Sequence, residues 1–121
     1  MYDVSLTESF FPAQPGPIEE ITIGDMMRRQ AAERADQPFL KELTYSGDIA
    51  RTWTYKEFLE DAERLARALA SRHAKGARIA VYANNIPEWV LLEYASAMAG
   101  LTLVTVNPAY QPRELKYVLE Q

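Results

Sequence analysis

Three asparagines hold the positions where chemistry is easiest to place in this 121-residue sequence. Asn84 and Asn85 follow one short apolar run, and Asn107 stands before Pro108 after another. If both runs are strands of one parallel sheet, the three amides share its carboxyl edge, where open α/β sheets bind ligands. Amides there can contact a polar ligand. Asparagine also caps a following helix or fits a tight turn. The other polar candidates have plain structural readings. His73, the sole histidine, lies between Arg72 and Lys75 at what reads as a helix end, where positive charge complements the macrodipole. Glu57, Glu60, Asp61 and Glu63 fall along one helical segment and suit a cap, the dipole and a solvated face. Asp48 beside Gly47 is turn chemistry, and Trp53 and Trp89 read as packing residues.

What the sequence lacks narrows the chemistry further. Its five glycines are scattered, so neither GxGxxG nor GxxxxGK[ST] occurs and no loop can cradle phosphate. HExxH and GxSxG are absent too. With no cysteine there is no disulfide framework, thiolate metal site or Cys nucleophile. The residues therefore name no catalytic, cofactor-binding or metal-ligating position.

The elements that would position these residues are legible. Residues 1–20 hold three prolines and a glycine and read as a poorly structured arm, whose Phe10-Phe11 pair can dock on an apolar surface. In ITIGDMMRRQAAERA, Thr22 is an N-cap, Asp25 sits at N3, and Ile21 with Met26 can form a hydrophobic staple. Segments 39–44 and 50–54 flank Ser46-Gly47-Asp48 as a hairpin. Thr54 and Glu57 then spell a capping box, with Trp53 and Phe58 at the staple positions. Phe58, Leu59, Ala62, Leu65, Ala66 and Leu69 follow at helical period, and Gly76 is placed to supply the C-cap.

RIAVYANN reads as a strand. IPEWVLLEYASAMAG reads as a helix with Pro87 at N1 and Gly100 at its stop, apolar around most of its surface and so expected to be buried on most sides. LTLVTVNP reads as a strand covered on both faces, and Pro112 opens a last helix with Leu115, Val118 and Leu119 on one side. The fold class is therefore α/β. An N-terminal helix and β-hairpin precede a βαβα unit with parallel strands. Two parallel strands are too few for a covered sheet. The expected organisation is an arm at 1–20 and a partial α/β domain at 21–121, truncated at its C-terminal end.

Composition excludes several classes. A net charge of −4 gives no electrostatic reason to expect nucleic acid or an anionic membrane as partner. No apolar run approaches a transmembrane helix, and residues 1–20 carry neither a basic n-region nor an apolar h-region. With the missing cysteines, this fits a cytoplasmic location.

Two stretches resemble a known family. TWTYKEF, Thr52 to Phe58, is similar to the first core motif of the adenylate-forming enzymes, roughly Leu-Thr/Ser-Tyr-x-Glu-Leu, with Trp53 and Phe58 replacing the leucines. AMAGLTLVTVNPAYQPRELKYVLEQ resembles the second core motif in its acyl-CoA synthetase form. Its Asn-Pro-x-Tyr-x-Pro-Arg-Glu-Leu string, Asn107 to Leu115, looks most like fatty acyl-CoA ligases. YANNIPEWVLLEYASAMAG fits the segment between them.

The resemblance implies a parent enzyme several times longer, an acid–thiol ligase. Such enzymes activate a carboxylate with ATP and Mg²⁺ to an acyl-adenylate, which coenzyme A converts to a thioester, with a fatty acid as the expected substrate. The family's phosphate loop, metal-binding glutamate and catalytic lysine have no counterpart here, so no residue role carries over. The 121-residue piece is expected to be structural and inactive alone, to bind no cofactor itself, and to have the remainder of its own chain as its partner. Left uncovered, it would be prone to self-association. A stand-alone α/β interaction module and a small nucleotide-binding domain are the other readings, the latter opposed by the missing phosphate loop.

Overall fold

A computed structural model describes Gly16 and residues 18–121. The expected arm therefore lies largely outside the described residues. Helix α1 (Ile23–Arg34) leads into strands β1 (Pro38–Leu43) and β2 (Ile49–Thr54), then α2 (Tyr55–Ala70), β3 (Arg78–Tyr82), α3 (Pro87–Met98), β4 (Thr102–Val106) and α4 (Pro112–Glu120). This is the helix, hairpin and βαβα order that the sequence predicts.

Local rules account for the boundaries. Thr22 Oγ1 accepts the Asp25 N–H at 3.1 Å and starts α1. The staple differs from expectation: Ile21 is exposed, and Met27, not Met26, enters the core. The capping box on α2 is complete. Thr54 Oγ1 accepts the Glu57 N–H at 3.2 Å, and Glu57 Oε2 accepts the Thr54 N–H at 2.9 Å. Gly76 does not end that helix. Ser71 is the C-cap, and Gly76, at φ 82°, donates its N–H to Gly100 O at 2.7 Å in the corner leading to β3. The left-handed backbone is needed where the chain turns towards the sheet, five residues beyond the cap. Gly100 does take its expected place. At φ 70° its N–H bonds Ala97 O, and the Leu101 N–H reaches Ser96 O, which is a Schellman ending for α3.

The core lies where α1, α2 and α3 meet the hairpin. Met27, Phe58 and Ala62 are its buried centre. Phe39 of β1, Phe58 of α2 and Tyr94 of α3 form an aromatic triangle, with ring centroids 4.5, 5.2 and 5.8 Å apart. Two of those contacts are edge-to-face, the arrangement the ring quadrupole favours.

The described strands form two separate pairs. β1 and β2 are antiparallel, while β3 and β4 are parallel, with Arg78 opposite Thr102 and Tyr82 opposite Val106. The parallel pair is less covered than its apolar sequence predicts. Val81 and Val106 are buried, but Leu103 and Val104 are only half-buried. The same holds for α3, whose Trp89, Val90, Leu91 and Leu92 are half-buried. The reason is thin cover: α3 packs beside β4, but α4 buries no residue and packs closely on no other element.

Candidate functional site

The carboxyl edge of the β3–β4 pair is built by the two corners that leave it, residues 83–86 and 107–111. In the second corner Asn107 Oδ1 accepts the Ala109 N–H at 2.9 Å, and the Tyr110 N–H bonds Asn107 O at 3.0 Å. Asn107 Oδ1 thus closes an Asx turn. Tyr82, the last residue of β3, points its hydroxyl at Pro108 O, 2.9 Å away, and at Tyr110 O, 3.2 Å away. Pro112 then opens α4, and Glu114 Oε2 accepts the Gln111 N–H at 2.8 Å.

Asn84 and Asn85 are exposed in the first corner and make no side-chain hydrogen bond with another described residue. Asn85 borders a half-open groove of about 440 Å³ between β1 and the start of α3, walled by Leu40, Leu43, Pro87, Trp89 and Val90. The three asparagines therefore do not act alike. One is used by its own turn, and one edges an apolar groove.

A cluster the sequence did not single out stands beside that groove. Arg51 Nε lies 2.5 Å from Glu42 Oε2 on the paired strand, and its Nη2 lies 2.9 Å from Glu88 Oε1 at the start of α3. The guanidinium sits 5.0 Å from the Trp53 ring centroid, within cation–π range. The Glu42 hydrogen bond, then that of Glu88, raises the Arg51 pKa. The Glu88 carboxyl is held below the usual range by its own backbone N–H and then by Arg51. The Glu42–Arg51 half was readable from hairpin register, since the two residues are cross-strand partners. The Glu88 half needs the tertiary fold.

The remaining candidates are structural. His73 is exposed after α2. Asp48 Oδ2 accepts the Ser46 hydroxyl at 2.7 Å in the hairpin turn. The acidic residues of α2 are less solvated than their spacing predicts. Asp61 accepts the Trp53 indole N–H at 3.2 Å and also pairs with Arg64, and Glu63 takes Arg28 Nε of α1 at 2.8 Å. Among the described residues no group of three or more His, Cys, Asp or Glu side chains is placed to hold a metal ion. The positive-φ glycines Gly47, Gly76 and Gly100 spend their N–H groups on the carbonyls of Thr44, Gly100 and Ala97, so none offers a free N–H to a phosphate cradle. The described residues do not fit a nucleoside triphosphate with its metal.

A helix and hairpin joined to a parallel βαβα unit make this an α/β fold. Residues 27–121 match the family model for AMP-binding enzymes, and the chain belongs to that family. It is 44% identical over 106 residues to the mitochondrial medium-chain acyl-CoA ligase ACSF2 of Danio rerio, a match covering 87% of this chain and 17% of that protein. Among solved structures it resembles a protein assigned as a long-chain-fatty-acid CoA ligase from Rhodopseudomonas palustris, at 31% identity and TM-score 0.68, over 82% of this chain and 24% of the other. It also resembles the N-terminal subdomain of Klebsiella oxytoca NpsA, at 25% identity and TM-score 0.70, over 82% of this chain and 25% of that one. The chain thus spans about a fifth of the length of the curated relative.

Proposed function

We propose that this chain is the N-terminal portion of an ATP-dependent acyl-CoA synthetase acting on a fatty acid. The observation that carries the reading is the 44% identity, over most of the chain, to a ligase named for medium-chain acyl groups. The overall reaction joins a carboxylate to AMP with release of pyrophosphate, then transfers the acyl group to the thiol of coenzyme A with release of AMP. ATP, Mg²⁺ and coenzyme A belong to the longer enzyme. The charge on the reacting phosphorus needs metal, lysine and loop N–H groups, and the described residues bring none of these together.

The role left to this portion is scaffolding. It builds one packed core, starts a parallel sheet and fixes two corners at that sheet's carboxyl edge. Its half-covered β3–β4 pair, with α4 only loosely packed, fits a surface completed by the remainder of the same chain, and in isolation it would favour self-association. No described helix is long and apolar enough to cross a membrane. The cysteine-free sequence is in keeping with the cytoplasmic placement we favour, although the Danio rerio relative bears a mitochondrial name.

Two assays test this. The purified chain, given ATP, Mg²⁺ and a medium-chain fatty acid, should show no ATP–pyrophosphate exchange above background, and exchange would overturn the scaffold reading. A chimera with this chain in place of the matching segment of the Danio rerio ligase should form acyl-CoA. A chimera that melts cooperatively yet forms none would count against membership in a working synthetase.

A further inference from the structure

Helix α4 has only nine residues, none of them buried, and Leu115 and Val118 on its inner side are only half-buried. Helices this short are marginal in water without tertiary support. A groove of about 500 Å³ is bordered by its Leu115 and Leu119 and by Tyr82. Its order must therefore come chiefly from its N-terminal end. Most polar contacts there are local: the Asn107 turn, Pro112 at N1 and the Glu114-to-Gln111 bond. The Tyr82 hydroxyl is different. It reaches across 26 and 28 residues of sequence to the carbonyls of Pro108 and Tyr110. Among the described residues it is the one long-range side-chain donor to the corner.

We infer that Tyr82 is a latch that orders the corner between β4 and α4, and through that corner α4 itself. The latch couples the end of β3 to the start of α4, across the register position shared with Val106. One hydroxyl proton serves two carbonyls, so the pair of contacts fixes the corner's direction as well as its distance. A phenylalanine keeps the ring and loses only this tie. Tyr82 is half exposed, so the change leaves the core of α1, α2 and α3 untouched.

The test is amide hydrogen exchange by NMR on this chain. In Tyr82→Phe, the amides of Tyr110 and of Leu115 to Glu120 should exchange on the order of fivefold faster, the size of one net hydrogen bond. Those of Val81, Thr105 and α2 should not change. Glu114→Ala, which breaks the local cap and not the latch, should speed the α4 amides but leave Tyr110 alone. An unmoved Tyr110 amide in Tyr82→Phe, or a rise shared equally by α2 and the sheet, would overturn the latch.

Discussion

The two halves of this molecule are built from similar sequence and end up in different states. Where α1, α2 and α3 meet the base of the hairpin, apolar residues find partners, although Leu43, Tyr45 and Ile49 at its far end stay exposed. Phe58 is 1% exposed, Ala62 fully buried, and three aromatic rings lock β1, α2 and α3 together. On the β3–β4 pair and α4 cover is thinner: Val81 and Val106 are buried, but Leu103, Val104, Leu115 and Val118 are only half-buried, and Tyr117 and Leu119 stay 65% and 59% exposed. The lesson is that apolar patterning encodes a demand for cover, not the cover itself. The first region meets its demand with α1, α2 and α3 together. The second is arranged as a face for something further.

That contrast can be broken by substitution. Phe58→Ala should cost about 3–5 kcal/mol in a denaturant melt of the chain, because it empties the aromatic triangle. Leu115→Ala, an equally apolar residue of the open half, should cost less than about 1 kcal/mol, since half-buried surface loses little. Similar losses at both sites would erase the distinction between the halves.

Overpacking sharpens it. Ala62→Leu, at a position with no free surface, should destabilise by about 1–3 kcal/mol in the same melt. The α2 cap comes next: Thr54→Ala should cost about 1 kcal/mol, read as a shift in midpoint at constant slope.

Acid should act on the same ends. The Glu57 carboxyl is held below its ordinary value by the Thr54 backbone N–H and then by its hydroxyl, and Glu88 by its own N–H and Arg51. Asp25 is depressed by Thr22, then Arg28. Each folded pKa lies below the unfolded one, so the contribution is present above the ordinary carboxylate range, about 4, and is lost as pH falls through the folded values. A urea midpoint that drops below that pH, and drops less in Glu57→Gln, is the expected profile. The smallest effect belongs to the hairpin's tie to α3. Arg51→Met should move the urea midpoint only slightly, and less still at high salt, because the pair is half exposed.

Much of this was legible from residues alone. Thr22, Thr54 with Glu57, Pro87 and Gly100 mark helix ends by local chemistry, and local chemistry does not depend on the rest of the fold. Gly76 misled for the same reason. A glycine near a helix end signals a left-handed residue, but the position that needs it is set by where the next strand lies. Met27 displaced Met26 because the partner helices choose the inward face. The Arg51–Glu88 pair and the Tyr82 contacts were invisible because they join residues 37, 26 and 28 positions apart. At the sheet edge, the sequence left Asn107 open between ligand contact and turn, and its Oδ1 takes the turn.

The most direct test of the account is the source gene's reading frame beyond the codon for Gln121. The account predicts a frame that continues, with a Ser/Thr/Gly-rich loop ending in lysine to supply the phosphate contacts missing here and further elements to cover β3, β4 and α4. A stop codon at that point would contradict it. The open face would then belong to a self-contained binding module and not to part of a ligase.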